Sequence, residues 1–300
     1  MSDAREARSV GLAYALLAYG SWGFFPLFWK LLDDIAPLEL VAHRVVWACL
    51  VYLLLVGWRR RLGELRAGLV DRSVLRAIVP AAVLISVNWL VFVYAVVTDR
   101  VLHASLGYFL NPLVSIVLGL LFLRERMRRA QWIAVALAGL GVVQLATLAD
   151  GVPWIGIVLA LSFGLYGLTR KVAPVDGLLG ATIESVLLVP IAVGYLAWLA
   201  VSGSGAFGTI AVRTDLLLVC AGLVTAAPLV WFANAARRLP LRTLGFVQYL
   251  APSCQFLLAV LVFDEALTSV HVRSFGCIWL AVALFTAESW WHDRKRALTG

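Results

Sequence analysis

Runs of about twenty apolar residues, separated by short breaks of charged residues, proline and glycine, succeed one another along the chain. A helix rising 1.5 Å per residue needs roughly 20 such residues to cross a hydrocarbon core about 30 Å thick. The pattern predicts ten helical spans, near residues 10–30, 38–57, 75–97, 103–123, 130–148, 153–170, 178–200, 215–236, 242–262 and 270–290. The period-two alternation of a membrane barrel is missing, which leaves helices as the way to satisfy every backbone group inside lipid. The first run continues through Pro26 without a small-residue cleavage site and is read as a span rather than a signal peptide. Only residues 203–208 read as a flexible linker, and no stretch is left for a separate soluble domain.

The pattern also repeats at a separation of about 140 residues. Leu106-Gly107-Tyr108 leads into Phe109-Leu110-Asn111-Pro112, as Leu244-Gly245-Phe246 leads into Tyr249-Leu250-Ala251-Pro252. Leu121-Phe122-Leu123-Arg124-Glu125 answers Leu261-Val262-Phe263-Asp264-Glu265, and Gly20-Ser21-Trp22-Gly23 has an echo in Gly164-Leu165-Tyr166-Gly167. Five spans per copy is an odd number, so the second copy enters the membrane upside down relative to the first. The expected architecture is an all-α integral membrane protein, with residues 1–150 and 151–300 as two inverted five-helix repeats.

Charge sets the expected orientation. Basic residues gather at residues 5–8, 59–76, 124–129, 170–171, 237–242 and 294–296, which alternate spans place on one side. Lys30, Arg100, Arg213 and Arg273 fall on the other side, and Arg44 lies inside a span. Because basic loops stay in the cytoplasm, both termini are expected there. The formal charge of +8 is explained by that retention and calls for no nucleic acid. With 62% hydrophobic and 14% charged residues, a water-soluble fold is excluded. Cys49, Cys220, Cys254 and Cys277 all lie in spans without Cys-x-x-Cys spacing and read as packing residues.

An ionisable side chain within a span costs about 2.5–3.5 kcal/mol, so each is expected to face a cavity or a partner. His43 and Arg44 lie about 10 Å deep from one surface, and Glu184 about 10 Å deep from the other. Arg44 and His43 are candidates for a polar cavity between the repeats, and Glu184 for the second half of the path. The competing readings are that these residues snorkel or pin helices, with His43 a hydrogen-bonded packing residue. Trp22, Asn88, Trp89, Tyr108, Asn111, Gln248 and Tyr249 complete the candidate substrate site, since amides and indoles beside apolar surface suit organic ligands. Membrane amides also simply join helices, at about 0.6 kcal/mol each. Pro112 and Pro252 are candidate hinges, each removing a helix hydrogen bond at a matched position. No catalytic motif, nucleotide loop, cofactor motif or metal-ligand cluster is present in the sequence. The expected partners are a small-molecule substrate, the lipid bilayer and a coupling ion such as the proton; monomer and homodimer both remain open.

These residues carry a resemblance. The duplicated five-span unit resembles the EamA group of the drug/metabolite transporter superfamily over nearly the whole chain. Trp22, His43-Arg44, Asn88-Trp89, the run Ala104-Ser105-Leu106-Gly107-Tyr108-Phe109-Leu110-Asn111-Pro112-Leu113 and Leu244-Gly245-Phe246 are similar to its RarD type, labelled chloramphenicol-sensitive proteins. The resemblance implies ten spans with both termini inside, a central cavity, and export or exchange of small organic metabolites or drugs. One departure stands out: the Gly-Glu dipeptide typical of spans four and nine is Arg124-Glu125 and Asp264-Glu265 here, which questions a tight turn at those places.

The expectation is a secondary transporter working by alternating access on a small, amphipathic or amino-acid-like solute. A membrane-embedded enzyme acting on lipid or polyprenyl substrates would need clustered His, Asp or Glu near one interface, and the acidic residues here are scattered. A passive channel would need a polar stripe along a span.

Overall fold

The computed structural model describes residues 2–98, 101–147, 154–262 and 269–299. Arg100, Asp264 and Glu265, and the expected boundary at 150/151, lie outside the described residues. The described chain is helical: α1 (Ser2–Trp29), α2 (Pro37–Trp58), α3 (Leu62–Val70), α4 (Arg72–Val97), α5 (Val101–Phe122), α6 (Arg129–Ala146), α7 (Trp154–Val172), α8 (Gly177–Ser202), α9 (Val212–Arg238), α10 (Leu241–Gln248), α11 (Leu250–Leu261) and α12 (Ser269–Thr299). Eight of these helices are long and apolar enough to cross a membrane, and Leu106–Phe122 in α5 forms a shorter apolar helix. The outward faces carry bare Leu54, Ile133, Ile191, Leu223 and Leu280. That surface would aggregate in water and is matched to lipid tails.

Local chemistry sets the ends. Pro37 opens α2 at a first-turn position where its missing N–H costs nothing. Asp176 caps α8 by accepting from the N–H groups of Leu178 and Leu179, and Gly203 closes that helix at φ +69°. The nine-residue α3 was not expected from the sequence; it is too short and polar to span, and its buried Leu65 anchors it to the bundle.

The turn after α5 corrects the doubt raised by the missing glycine. Arg124 adopts φ +52°, and the Glu125 N–H reaches back to the Gly119 carbonyl at 3.1 Å, so the tight left-handed turn is kept. A Cβ in that conformation costs about 1 kcal/mol.

The expected ninth span is broken. α10 stops at Gln248 and α11 starts at Leu250, with Tyr249 between them. Pro252 favours this, because its ring would clash with the carbonyl of residue 248 and it offers no N–H. Pro112 stands at the matched position in α5, which runs through it unbroken. In α1, Pro26 likewise deprives the Trp22 carbonyl of its donor, and Gln255 Nε2 from α11 supplies one at 3.0 Å.

The most extensive helix contacts all join a helix before residue 147 to one after residue 154: α6 with α12, α5 with α7 and α10, α1 with α9 and α11, α2 with α8 and α9, α4 with α7. Exchanging the two halves maps α1–α9 onto α7–α4 and α1–α11 onto α7–α5. Glycine makes the last two contacts close, because a Cβ on Gly23 would fall 2.5 Å from Cys254 Cβ and one on Gly164 would fall 2.6 Å from Val114 Cγ1. Cys254 and Val114 each lie two residues beyond the matched prolines.

Contacts among the loops tie the helix ends together. At the arginine-rich end, Arg61 pairs with Asp176, Arg128 with Glu288, and Lys171 Nζ donates to the carbonyls of Ala236 and Leu239 at the end of α9. Glu125 accepts from the Leu241 N–H at 2.7 Å and the Arg242 N–H at 3.1 Å. It thereby caps α10 from the α5–α6 turn, where a carboxylate also meets the positive end of the helix dipole. At the opposite end, the Ala206 N–H donates to Glu39 at 2.7 Å and Tyr94 stacks near Trp154.

Candidate functional site between the halves

Gly222 lets α9 press against α2, since a Cβ there would fall 2.3 Å from Trp47 Cβ. One turn further along α9, this approach brings Thr225 to Arg44, whose Nε donates to Thr225 Oγ1 at 3.0 Å. The guanidinium lies 4.8 Å from the Trp29 ring of α1 and 5.3 Å from the Trp89 ring of α4, within cation–π range of both. Tyr108 of α5 and Tyr52 of α2 are close enough to interact with it electrostatically. Arg44, Trp29, Trp89 and Tyr108 all keep partial exposure although each faces other helices. Among the described residues Arg44 has no carboxylate partner, and its terminal nitrogens make no hydrogen bond.

Below this group lies an aromatic floor. Trp22 meets Tyr19 at 5.4 Å, Phe163 at 5.8 Å and Phe232 at 5.7 Å between ring centroids, and Tyr166 stacks on Phe232. Trp89 packs against the same core cluster as Trp22. Trp89 and Tyr108 therefore share the surroundings of Arg44, and Trp22 is linked to them through the core cluster it shares with Trp89. α4 makes only slight contact with α2 and α5 beside it, and Trp89 is half-buried.

The other expected site residues are occupied in packing. Asn88 Nδ2 donates to the Leu159 carbonyl and to Ser162 Oγ, both at 3.0 Å, tying α4 to α7. Asn111, with its amide nitrogen turned toward α7, donates to the carbonyls of Leu159 at 3.3 Å and Ala160 at 3.1 Å. Gln248 meets Ser115 at 3.5 Å across α10 and α5, and Tyr249 is fully buried with its hydroxyl unpartnered. These amides do what membrane amides commonly do, joining helices.

His43 is one residue from Arg44 and so points elsewhere on the helix. It is buried against Phe207 at 5.1 Å, accepts from Trp47 Nε1 at 3.2 Å, and its Nε2 lies 3.9 Å from Glu39. It thus belongs to the contact between the start of α2 and the 203–208 loop.

Glu184 sits apart from Arg44. Its carboxylate pairs with Arg170 at 3.1 Å and accepts from the Tyr166 hydroxyl at 3.2 Å. Arg170, 1% exposed, also donates to the Gly177 carbonyl at 3.0 Å. Gly180 makes room for it, because a Cβ there would fall 2.0 Å from Arg170 Nη1. Sequence reasoning missed this pair by counting Arg170 with Lys171 among the loop charges. It also passed over Trp29 and Thr225 as neighbours of Arg44.

Comparison with known proteins agrees with this architecture. Residues 9–147 match the EamA-like transporter family. Protein RarD of Streptomyces exfoliatus is 44% identical over 95% of this chain and 91% of its own length. Protein RarD of Escherichia coli (strain K12) is 42% identical over 98% and 99%. A protein of known crystal structure superposes with a TM-score of 0.71 at 17% identity over 94% of this chain and 97% of its own, a likeness of fold. An all-helical multi-pass membrane bundle with relatives of this closeness places the chain in the EamA family of the drug/metabolite transporter superfamily, among its RarD-type members.

Proposed function

We propose that the chain is a secondary transporter that moves a small organic solute by alternating access, with Arg44, Trp89, Tyr108 and Trp22 forming its binding site. The observation that carries this reading is an unpaired guanidinium held between indoles where α1, α2, α4 and α9 meet. A charge kept inside a membrane protein without a counter-ion has a solvation cost that a transient partner offsets. The site draws on both sides of the chain's midpoint, as expected for two inverted five-helix repeats, 1–150 and 151–300, with α10 and α11 together serving as one crossing. The exchange-symmetric helix contacts support that arrangement. In this reading Pro252 marks a joint, Pro112 a continuous helix, Asn88, Asn111 and Gln248 hold helices together, and Glu184 belongs to a fixed clamp. The arginine-rich end faces the cytoplasm.

The test is uptake into proteoliposomes of those amino acids, nucleosides and amphenicols that stabilise the purified protein thermally. Uptake by the parent and its loss in Arg44→Ala, at equal folded yield, is expected; equal uptake removes Arg44 from the path. Orientation is checked with Ser204→Cys, an exposed position in the 203–208 loop. It should react with an impermeant thiol reagent from outside intact cells above the background of the parent, and labelling only after lysis overturns the assigned sidedness.

A further inference from the structure

We infer that the solute is an organic monoanion, a carboxylate on a flat apolar body, and that its carboxylate docks on the terminal nitrogens of Arg44; this rests on Arg44 lining the transport path. The other cations inside the helix bundle have found oxygen. Arg170 holds Glu184 and the Gly177 carbonyl, and Lys171 holds two carbonyls of the α9 end. Arg44 commits only Nε, to Thr225, and its terminal nitrogens carry no hydrogen bond although the residue keeps partial exposure. The two carboxylates that could have neutralised it are engaged elsewhere: Glu39 accepts from the Ala206 N–H and Glu184 from Arg170 and Tyr166.

A planar guanidinium matches a carboxylate with two parallel hydrogen bonds, and here its plane is held in advance by Trp29 and Trp89. Pre-orientation removes much of the side-chain entropy that binding would otherwise cost. One cation balances one negative charge, so a dianionic phosphate would be left under-neutralised at this depth. The apolar body has a matching surface in the half-buried rings of Trp89, Trp22 and Phe163, backed by the buried Phe232 of the same cluster. A cationic solute would meet repulsion, and a neutral amide could offer Arg44 one acceptor but not two.

Calorimetric binding of matched acid and amide pairs, indole-3-acetate with indole-3-acetamide and phenylacetate with phenylacetamide, tests this on the full chain in a neutral maltoside detergent. Absence of lipid separates a solute carboxylate from a lipid headgroup, and adding phosphatidylglycerol as competitor reads the headgroup directly. The acids should bind roughly 10–100-fold more tightly than their amides. Arg44→Gln should erase that preference, Arg44→Lys should keep part of it, and thermal unfolding of each variant confirms folding. Equal affinity for acid and amide, a preference that survives Arg44→Gln, displacement of the acids by phosphatidylglycerol at equal concentration, or no acid binding at millimolar concentration overturns the inference. Arg44-dependent uptake of a neutral solute would sink the inference and leave the transporter reading standing.

Discussion

Two arginines sit inside this bundle, and their surroundings differ in kind. Arg170 is enclosed, paired at 3.1 Å with Glu184 and backed by a carbonyl, with Gly180 cut away to admit it. Arg44 has one hydroxyl, two ring faces and no anion. Both are charges buried among helices, yet one is a finished contact within the second half while the other is an open valence where the halves meet. What separates the two is the counter-charge, not burial or complete hydrogen bonding: Arg170 Nε is itself buried without an acceptor, while the Nε of Arg44 is bonded.

The largest test of this contrast is Glu184→Ala, which strands Arg170 without its counter-charge. It should cost about 3–5 kcal/mol and lower the folded yield sharply in size-exclusion profiles. Replacing both partners, Arg170→Met with Glu184→Leu, should recover part of that loss, since it removes the buried charges while leaving the Tyr166 hydroxyl and the Gly177 carbonyl without these partners. If Glu184→Ala leaves the melting temperature unchanged, the clamp assignment is wrong.

Asp176→Asn, at the N-terminal end of the same helix, should cost at most about 1 kcal/mol, from the lost charge facing the helix dipole and Arg61 rather than from the cap, which an asparagine oxygen also supplies. Burial alone would raise the Asp176 pKa, but the Arg61 hydrogen bond and the N–H groups of Leu179 and Leu178 outweigh it and hold the carboxyl below its usual range. A depressed carboxyl contributes stability above its unfolded pKa and loses it as pH falls through the folded value. The parent should therefore lose this contribution below about pH 4, and the Asn variant should show a flatter acid limb in thermal unfolding.

Arg124→Gly should raise stability by a few tenths to about 1 kcal/mol, by relieving a left-handed side-chain-bearing residue. Smallest is Arg44→Gln, which should change the melting temperature by no more than a degree or two while removing binding. A large loss of stability there would put Arg44 in the same class as Arg170.

The helices were legible because lipid imposes one rule on every span, a long apolar run, and because charged loops punctuate those runs. Arg44 stood out for the same reason, as a charge set into the apolar run of α2, although snorkelling or pinning a helix would leave the same mark. Arg170 was hidden because it stands at the end of α7 beside Lys171, where a loop charge and an inward-turning one look alike in sequence. Asn88 and Asn111 were overread, since their type signals only that a partner exists, and the partners proved to be Ser162 and the backbone of α7. The matched prolines show a different limit. Pro112 and Pro252 have the same local chemistry, but only the second interrupts its helix, so tertiary packing decides what a proline does. The cap that Glu125 places on α10 joins residues more than a hundred positions apart, a relation no local pattern encodes.

The interruption at Tyr249 divides loyalties along a single stretch of chain. α10 lies chiefly against α5 and is fastened at its start by Glu125, whereas α11 lies chiefly against α1 through the Gly23–Cys254 approach. Rotating one piece against the other sacrifices no backbone bond at the Pro252 nitrogen, because none exists there to lose. If Pro252 is the joint proposed above, the walls held by α10 and α11 would part at this knuckle, where the helix ladder already lacks one bond.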